Sequence, residues 1–286
     1  MGNILVLTDF SDHSLKAAKW AIFLAKKAPA KVILFHSYLG APVIPYDTSG
    51  QWLNPEEVVT FEEECRQALS EFAQRVELDE LHNSVDDLKP VIQTEFAEGH
   101  LGAKVEEQIE KNDIDVVVMG ATGKTAFGRL LAGDQIGKVI ERSSKPVLIV
   151  PERSIPQKLE KVTFAVNFDN NEIHAFHHLA HLSELFNFNI DVVHVIVADE
   201  SIDEDSKQTF LRKLKNGNNI VRADYEAIKG KSVLPRLIGR CKANGCDLLA
   251  ITHHQYNFLQ RLFYKSTTRD AIHDLKLPLL IFPSKD

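Results

Sequence analysis

Three glycines in one short segment are the clearest chemical signal in the sequence. The segment reads MGATGKTAFGRLLAGDQ and contains Gly120, Gly123 and Gly133. It follows an apolar run, DVVVMG, that predicts a parallel strand, and it leads into a predicted helix. Glycines in this position let backbone N–H groups approach a phosphate, which the N-terminus of the next helix attracts. The segment therefore predicts a site for the phosphates of a nucleotide.

Two other phosphate motifs do not fit the chain. A P-loop requires a further glycine five residues before the glycine of its GK pair, and that position, five before Gly123, is Val118. A dinucleotide-binding sheet carries its glycines directly after the first strand, where this chain has Thr8-Asp9-Phe10-Ser11. These spacings argue against a P-loop and against NAD.

Apolar runs alternate with amphipathic segments and predict the framework that positions the glycines. The first run, Ile4–Leu7, is followed by Ser11, which we expect to cap a helix, and then by a second run ending at His36. Three further runs follow before residue 151, separated by predicted helices. Continuous apolar runs between helices are typical of parallel strands covered on both faces. The order predicts an α/β fold.

The second half of the chain repeats the first. Ile4–Ser14 lies without gaps over Val162–Glu172, and the segment 115–151 lies without gaps over 247–283. Similarity at both ends indicates two copies of one supersecondary arrangement. We therefore expect two tandem five-stranded parallel sheets flanked by helices.

The predicted domains are residues 1–151 and 161–286, with the linker near Pro151–Glu160. Both copies close on an apolar strand, PVLIVP in the first and PLLIFP in the second. We expect these closing strands to pair the two domains as an intramolecular pseudo-dimer. Association of two chains into a homodimer is an additional possibility that the sequence leaves open.

Composition and charge limit the binding partners and the cellular compartment that we expect for the protein. The chain has 286 residues and a net charge of −7, and no basic block occurs in it, so nucleic acid and anionic membranes are poor candidate partners. The sequence contains no apolar run of about 20 residues that could span a membrane. Three cysteines, Cys65, Cys241 and Cys246, are too few for a disulfide framework. We expect a cytoplasmic protein with reduced thiols.

Several of these features together resemble the universal stress protein family. They are the first strand ending in TDFS, the second ending in His36, the spacing G-x2-G-x9-G after the fourth strand, and the closing KPVLIVP. The resemblance implies a Rossmann-like sheet of the adenine-nucleotide α-hydrolase-like group. It also implies ATP, ADP or AMP, with or without Mg²⁺, as the ligand of the first domain.

The resemblance assigns roles to individual residues. Asp9 would contact the adenosine part beside Leu7 and Thr8, and Ser37 would flank the adenine through its backbone. Met119 and Gly120 would line the base and ribose, while the later glycines would meet phosphate. The full predicted site comprises Leu7, Thr8, Asp9, Ser37, Met119, Gly120, Gly123, Lys124, Gly133, Asp134 and Gln135.

One position departs from the family pattern. The Ser or Thr that ends the glycine motif is Asp134 here, and an ionised carboxylate can only accept hydrogen bonds. It would repel a γ-phosphate unless Mg²⁺ lies between them. Aspartate is also a good N-cap for the following helix. The loop is therefore either a nucleotide site or a structural loop that has lost its ligand.

The second copy lacks the glycine site. Thr252, Gln255 and Lys265 stand where the first copy has its three glycines, and Asn167 stands in place of Asp9. We therefore expect a degenerate site in the second domain.

Twelve histidines include a group with helical spacing: His174, His177, His178 and His181. On a helix they form one outward stripe, which is either a Zn²⁺ or Ni²⁺ site, a pH sensor or a polar solvated face; the absence of a carboxylate or thiolate in the stripe favours the solvated face. His36 and His194 occupy matching strand ends, where we expect hydrogen-bonded structural roles.

The residues do not form a recognisable catalytic set. The leading hypothesis is a stress-response regulator that binds an adenine nucleotide in its first domain and acts on an unidentified protein partner. A nucleotide-independent interaction module is the main alternative, and a slow ATPase is the third.

Overall fold

The structure is a computed structural model of the 286-residue chain. It describes residues 1–39, 61–83, 89–121, 134–169, 171–197, 204–217, 223–254 and 277–283. Within this described part, no helix is long and apolar enough to cross a membrane.

The first half of the sheet is built from strands β1 to β5 and their helices. In chain order the elements are β1 Asn3–Leu7, α1 Asp12–Lys27, β2 Val32–Tyr38, α2 Phe61–Asn83, β3 Ile92–Glu98, α3 Leu101–Lys111, β4 Ile114–Gly120, α4 Asp134–Arg142 and β5 Val147–Val150.

The second half of the sheet follows the same order through β6 to β10. Its elements are β6 Lys161–Ala165, α5 Asn171–Phe186, β7 Asn189–Val197, α6 Glu204–Gly217, β8 Ala223–Gly230, α7 Val233–Asn244, β9 Leu248–Thr252 and β10 Leu279–Phe282.

All ten strands belong to one sheet, in the order β3-β2-β1-β4-β5-β10-β9-β6-β7-β8. Neighbours within each half run parallel, whereas β5 and β10 pair antiparallel at the centre, with Leu148 opposite Leu280. The predicted α/β class and the parallel strands are confirmed. The structure adds that the two five-stranded sheets share hydrogen bonds and form a single continuous sheet.

Side chains of the strands alternate between two apolar layers. Ile4 and Val6 of β1 pack on the face covered by α1, while Leu5 and Leu7 pack on the face covered by α3 and α4. All four are buried, because helices cover a parallel sheet on both sides. The layer that contains Ile4 runs without interruption into the second half, through Leu148 and Leu280.

Side-chain hydrogen bonds hold the connection between the halves at both ends. The Trp20 indole N–H on α1 donates to the Ser154 hydroxyl at 3.0 Å. Near β6, a carboxylate oxygen of Asp247 accepts the backbone N–H groups of Glu160 at 2.9 Å and Lys161 at 3.0 Å. One end of the segment is therefore tied to α1 and the other to the turn between α7 and β9.

Candidate functional site

A cavity of about 470 Å³ lies at the carboxyl ends of the strands in the first half. Strand β1 lies between β2 and β4, so the chain leaves β1 in one direction along the sheet and returns on the other side. Such a switch of direction opens a crevice where open α/β sheets bind their ligands. The cavity is lined by six of the predicted site residues: Leu7, Thr8, Asp9, Ser37, Met119 and Gly120.

The remaining predicted residues are only partly covered by the structure. Gly123, Lys124 and Gly133 lie outside the described residues. Asp134 and Gln135 form the first positions of α4, and the next residue, Ile136, lines the cavity. The N-terminus of α4 is therefore close to the cavity, where its partial positive charge favours an anion.

The turn after β1 is fixed by short-range hydrogen bonds. A carboxylate oxygen of Asp9 accepts the Ser11 backbone N–H at 3.2 Å and the Ser11 hydroxyl, and Ser11 in turn caps α1 by accepting the Ser14 N–H. The predicted cap is confirmed. Burial raises the pKa of Asp9, but the hydrogen bonds from Ser11 outweigh it, so this pKa lies below its usual value. An exposed, ionised carboxylate therefore stands at the cavity rim as a hydrogen-bond acceptor.

Phe10 takes an unusual conformation that serves packing. Its φ of 66° lies in the left-handed region, which costs a residue with a bulky side chain about 1 kcal/mol or more. In this conformation its ring lies 4.5 Å from the His36 ring, centroid to centroid. His36 Nδ1 lies 2.8 Å from the Thr8 carbonyl oxygen, so it must carry a proton and donate. His36 is therefore hydrogen-bonded, as expected, and it also lines the cavity.

The second half repeats this arrangement. Phe168 has a φ of 68°, its ring lies 4.6 Å from the His194 ring, and His194 Nδ1 donates to the Val166 carbonyl oxygen at 2.8 Å. In both halves the histidine follows the carbonyl residue by 28 positions. Sequence reasoning missed Phe10 and Phe168. The signal was present, since the gap-free overlay of the two copies places one phenylalanine over the other.

Hydroxyl groups complete the first turn. The Thr8 hydroxyl accepts the Phe10 backbone N–H at 2.9 Å and donates to the Ser14 hydroxyl at 3.0 Å. The Ser14 hydroxyl donates to the Ser11 carbonyl oxygen at 2.9 Å. Thr8 and Ser14 are both buried, so this series of hydrogen bonds satisfies polar groups that water does not reach freely.

A carboxylate replaces these hydroxyls in the second half. Val166 stands in place of Thr8 and has no hydroxyl, while Glu172 stands in place of Ser14. The Glu172 carboxylate accepts the backbone N–H groups of Asn167 at 2.9 Å and Phe168 at 2.8 Å, and the residue is fully buried. Burial raises its pKa to about 8, although hydrogen bonds from Asn167 and Phe168 oppose the change. The second turn is thus held by an acidic group of the chain itself.

Gly120 permits a close approach of backbones beside the cavity. A Cβ atom at this position would lie 2.5 Å from the His13 carbonyl oxygen at the start of α1. The equivalent residue of the second half, Thr252, is buried and carries a full side chain. The glycine at the end of β4 is therefore required by packing in the first half, whatever ligand is present.

Gly120→Ala is expected to lower the free energy of unfolding by about 1–3 kcal/mol, because the methyl group must push β4 and α1 apart. Gly137→Ala is the matched control, since a Cβ there meets nothing within 4 Å and helix propensity favours alanine by about 0.5–1 kcal/mol. Urea denaturation of both variants measures the difference. An unchanged midpoint for Gly120→Ala would contradict the packing role.

Polar side chains at the cavity offer hydrogen-bonding partners to a ligand. His13 and His100 line it together with Asp9. His13 Nδ1 is buried and has no hydrogen-bond partner among the described residues. Among those residues, too, no group of three or more histidine, cysteine, aspartate and glutamate side chains is placed to hold a metal ion. A ligand that offers a donor or acceptor to His13 would satisfy a buried polar atom.

The histidine stripe on α5 divides in the structure. His174, His177 and His181 are exposed, as the prediction of a solvated face requires. His178 is half-buried, and its ring centroid lies 5.6 Å from that of Phe282 on β10. The prediction that all four face outward is therefore wrong for His178, because Phe282 of β10, a strand of the same half, lies against its ring.

Comparison with known proteins identifies the family. A model of the universal stress protein family matches residues 1–151. A universal stress protein of Methanocaldococcus jannaschii is 34% identical over 147 residues, which cover 51% of this chain and 80% of the relative. Another, from Bacillus subtilis, is 26% identical over 147 residues, covering 51% of this chain and 97% of the relative.

Solved structures show the same fold over the whole chain. A universal stress protein from Archaeoglobus fulgidus covers 99% of this chain and 97% of its own, with a TM-score of 0.64 and 15% identity. A protein of unknown function from Pseudomonas aeruginosa covers 99% and 92%, with a TM-score of 0.53 and 14% identity. Because the family model matches more than half of its residues, this chain belongs to the universal stress protein family.

Proposed function

We propose that the protein is a stress-response regulator that binds an adenine nucleotide in the cavity of its first half. The observation that carries this proposal is the meeting of six predicted site residues around one cavity of about 470 Å³ at the β1/β4 switch point. A cavity of this size is typical for small-molecule ligands. Nucleotide binding would bias the conformation of the protein, and thereby the partner proteins that it contacts.

The lining supplies suitable chemistry for each part of the ligand. Leu7 and Met119 offer apolar surface for a base, and Asp9 offers an acceptor for an N–H or O–H donor. The N-terminus of α4 lies next to Ile136 at the same cavity and would face the phosphates. ATP, ADP and AMP differ only in the number of phosphates, and we therefore expect them to differ in the electrostatic repulsion that they experience from Asp134. Mg²⁺ would relieve repulsion there for the longer phosphate chains.

We further propose that residues 1–151 and 161–286 are two domains, of which only the first takes the nucleotide. Strand order supports the division, since each half of the sheet holds five consecutive strands. Glu172 supports the asymmetry, because its buried carboxylate already occupies the N–H groups of the second turn. A phosphate at that turn would find these N–H groups already bonded to Glu172, and it would be repelled by the carboxyl group wherever that group is ionised.

Calorimetry of the full chain with ATP, ADP and AMP, each with and without Mg²⁺, tests the proposal. We expect binding at one site per chain, and a stronger dependence on Mg²⁺ for ATP than for AMP. No heat and no rise in melting temperature under any of these conditions would overturn the proposal and favour a nucleotide-independent interaction module.

Asp9→Ala is expected to weaken nucleotide binding by about 10- to 100-fold, because a hydrogen bond to a charged acceptor contributes about 1.5–3 kcal/mol. Asn167→Ala is the matched control: Asn167 holds the second turn in the same way, by accepting the Asp169 N–H at 3.3 Å, and lies away from the cavity. Equal affinities for the two variants would remove Asp9 from the site.

A further inference from the structure

Two of the three cysteines meet at the C-terminus of α7. The helix ends at Asn244 and is followed by Gly245 in the left-handed conformation, with a φ of 63°. The Gly245 N–H bonds to the Lys242 carbonyl oxygen at 3.4 Å, and the Cys246 N–H bonds to that of Cys241 at 3.0 Å. This is a Schellman motif, which brings together the side chains of the residues that here are Cys241 and Cys246.

The geometry of the motif suits a covalent link. A backbone N–H···O=C bond of 3.0 Å holds the two Cα atoms within about 7 Å, the upper limit for a disulfide. The two sulfur atoms lie within hydrogen-bonding reach of each other. The helix cap therefore places both thiols in position before any oxidant arrives.

The two thiols differ in acidity. The hydrogen bond between them, together with burial, raises the pKa of Cys241. The same hydrogen bond lowers the pKa of Cys246, although burial opposes it. In its thiol form Cys246 donates to the Leu248 carbonyl oxygen at 3.0 Å. Cys246 is thus the sulfur that ionises first, while Cys241 keeps its proton.

Access to the pair comes from a second cavity. It has a volume of about 450 Å³ and lies between the connecting segment and α7, lined by Ser154, Lys158, Cys241 and Cys246 among others. Cys246 is half-buried, whereas Cys241 is only 2% exposed. A small oxidant can therefore reach Cys246 more readily than Cys241.

We propose that Cys241 and Cys246 form a peroxide-sensitive dithiol that closes reversibly to a disulfide. The Cys246 thiolate attacks one oxygen of hydrogen peroxide, the O–O bond breaks, and the leaving hydroxide takes up a proton to give water; Cys246 is then a sulfenic acid. The Cys241 sulfur attacks the Cys246 sulfur, an S–S bond forms, and the S–O bond breaks. The departing hydroxide takes the Cys241 proton as a second water, so two thiols are oxidised and one peroxide is reduced.

The cysteine pair lies next to a residue that holds the second half of the sheet in place. Asp247 follows Cys246 directly and holds the start of β6 through the N–H groups of Glu160 and Lys161. A disulfide at the helix cap therefore forms beside the segment that joins the two halves. Cys65 lies apart on α2, is buried, and has a pKa raised by burial, so it is expected to react slowly.

Thiol counting on the reduced full-length protein tests the proposal. A modest molar excess of hydrogen peroxide should lower the number of free thiols from three to one per chain, with the loss of two hydrogens in the intact mass. Peptide mapping should find the link between Cys241 and Cys246, and dithiothreitol should restore all three thiols. Three remaining thiols, or a link that involves Cys65 or a second chain, would overturn the proposal.

Variants separate the roles of the two sulfurs. Cys241→Ser should leave a sulfenic acid on Cys246 that dimedone captures, whereas Cys246→Ser should leave Cys241 reduced. Cys65→Ser is the matched control and should close the disulfide as the wild type does. Circular dichroism of each variant serves as the check that it is folded. Dimedone capture at Cys241 in place of Cys246 would contradict the assignment of the attacking thiolate and with it the proposed reaction.

Discussion

Glu172→Ala is expected to lower the free energy of unfolding by about 1–3 kcal/mol at pH 5, where the folded protein keeps the Glu172 carboxyl group protonated. The substitution removes the only acceptor shown for the partly buried N–H groups of Asn167 and Phe168 in the described residues, and a donor left unsatisfied away from water costs about 1–3 kcal/mol. The Phe168 ring, which packs on His194, would lose the support of its own turn. Urea denaturation measures the loss.

The same residue predicts a distinct dependence of stability on pH. The pKa of Glu172 is about 8 in the folded protein against 4.5 for the free side chain, so the folded state binds the proton more tightly than the unfolded state. Its contribution to stability is fully present below pH 4.5, falls as the pH rises, and is lost above about 8. Between pH 4.5 and 8 the free energy of unfolding is expected to fall by about 5 kcal/mol through this one group.

Glu172→Gln isolates this effect. Glutamine keeps an oxygen that can accept the N–H bonds but does not titrate, so the variant should lose less stability than wild type between pH 5 and 9. Glu184→Gln on the exposed side of the same helix is the control and should follow the wild type. Parallel stability curves for wild type and Glu172→Gln would show that Glu172 does not gain its proton on folding.

Leu148→Ala and Leu280→Ala are each expected to cost about 2–5 kcal/mol, since each leaves a cavity in the core. These leucines face each other across the antiparallel β5/β10 pair and are 1% and 5% exposed. Because the two cavities merge, the double variant should depart from the sum of the single costs by about 0.5–1 kcal/mol. Chemical denaturation of the four proteins in the cycle measures this coupling.

Leu34→Ala provides the control for that cycle. Leu34 is buried in the same apolar layer but lies on β2, three strands from β5. Its cost should add to that of Leu148→Ala without a coupling term. Strict additivity for Leu148 with Leu280, or a transition in which only one half of the protein shifts, would show that the two halves do not fold as one unit across β5 and β10.

Local patterns were enough to predict the elements of this fold. Strand β1 could be read from Ile4–Leu7 because a strand buried on both faces must be apolar at every position. The start of helix α1 could be placed at Ser11, because a serine caps a helix by accepting a backbone N–H only two or three residues further along the chain. Such signals depend on residues close in sequence and need no knowledge of the rest of the chain.

The partners of buried polar groups could not be predicted in the same way. Val166 and Glu172 are unremarkable in the sequence, and only the folded turn shows that the glutamate replaces the hydroxyls supplied by Thr8 and Ser14 in the first half. The prediction that the histidine stripe faces outward was wrong at His178 for a related reason. Helical periodicity gives the faces of α5 but does not show that Phe282 of another strand lies beneath one of them.

The sequence by itself determined the α/β class and the repeat, and its resemblance to the family pointed to the residues that gather around the cavity. Parallel strands bring their carboxyl ends to one edge, so residues such as Thr8, Ser37 and Gly120 at strand ends must be neighbours once the strands are known. Only the tertiary structure decided that β5 and β10 join the halves into one sheet, that the Glu172 side chain is buried at the second turn, and that the Cys241–Cys246 pair lies beside the connecting segment. The pairing of two edge strands depends on segments far apart in the chain, while the burial of Glu172 and the position of the cysteine pair depend on what the fold packs around those short stretches.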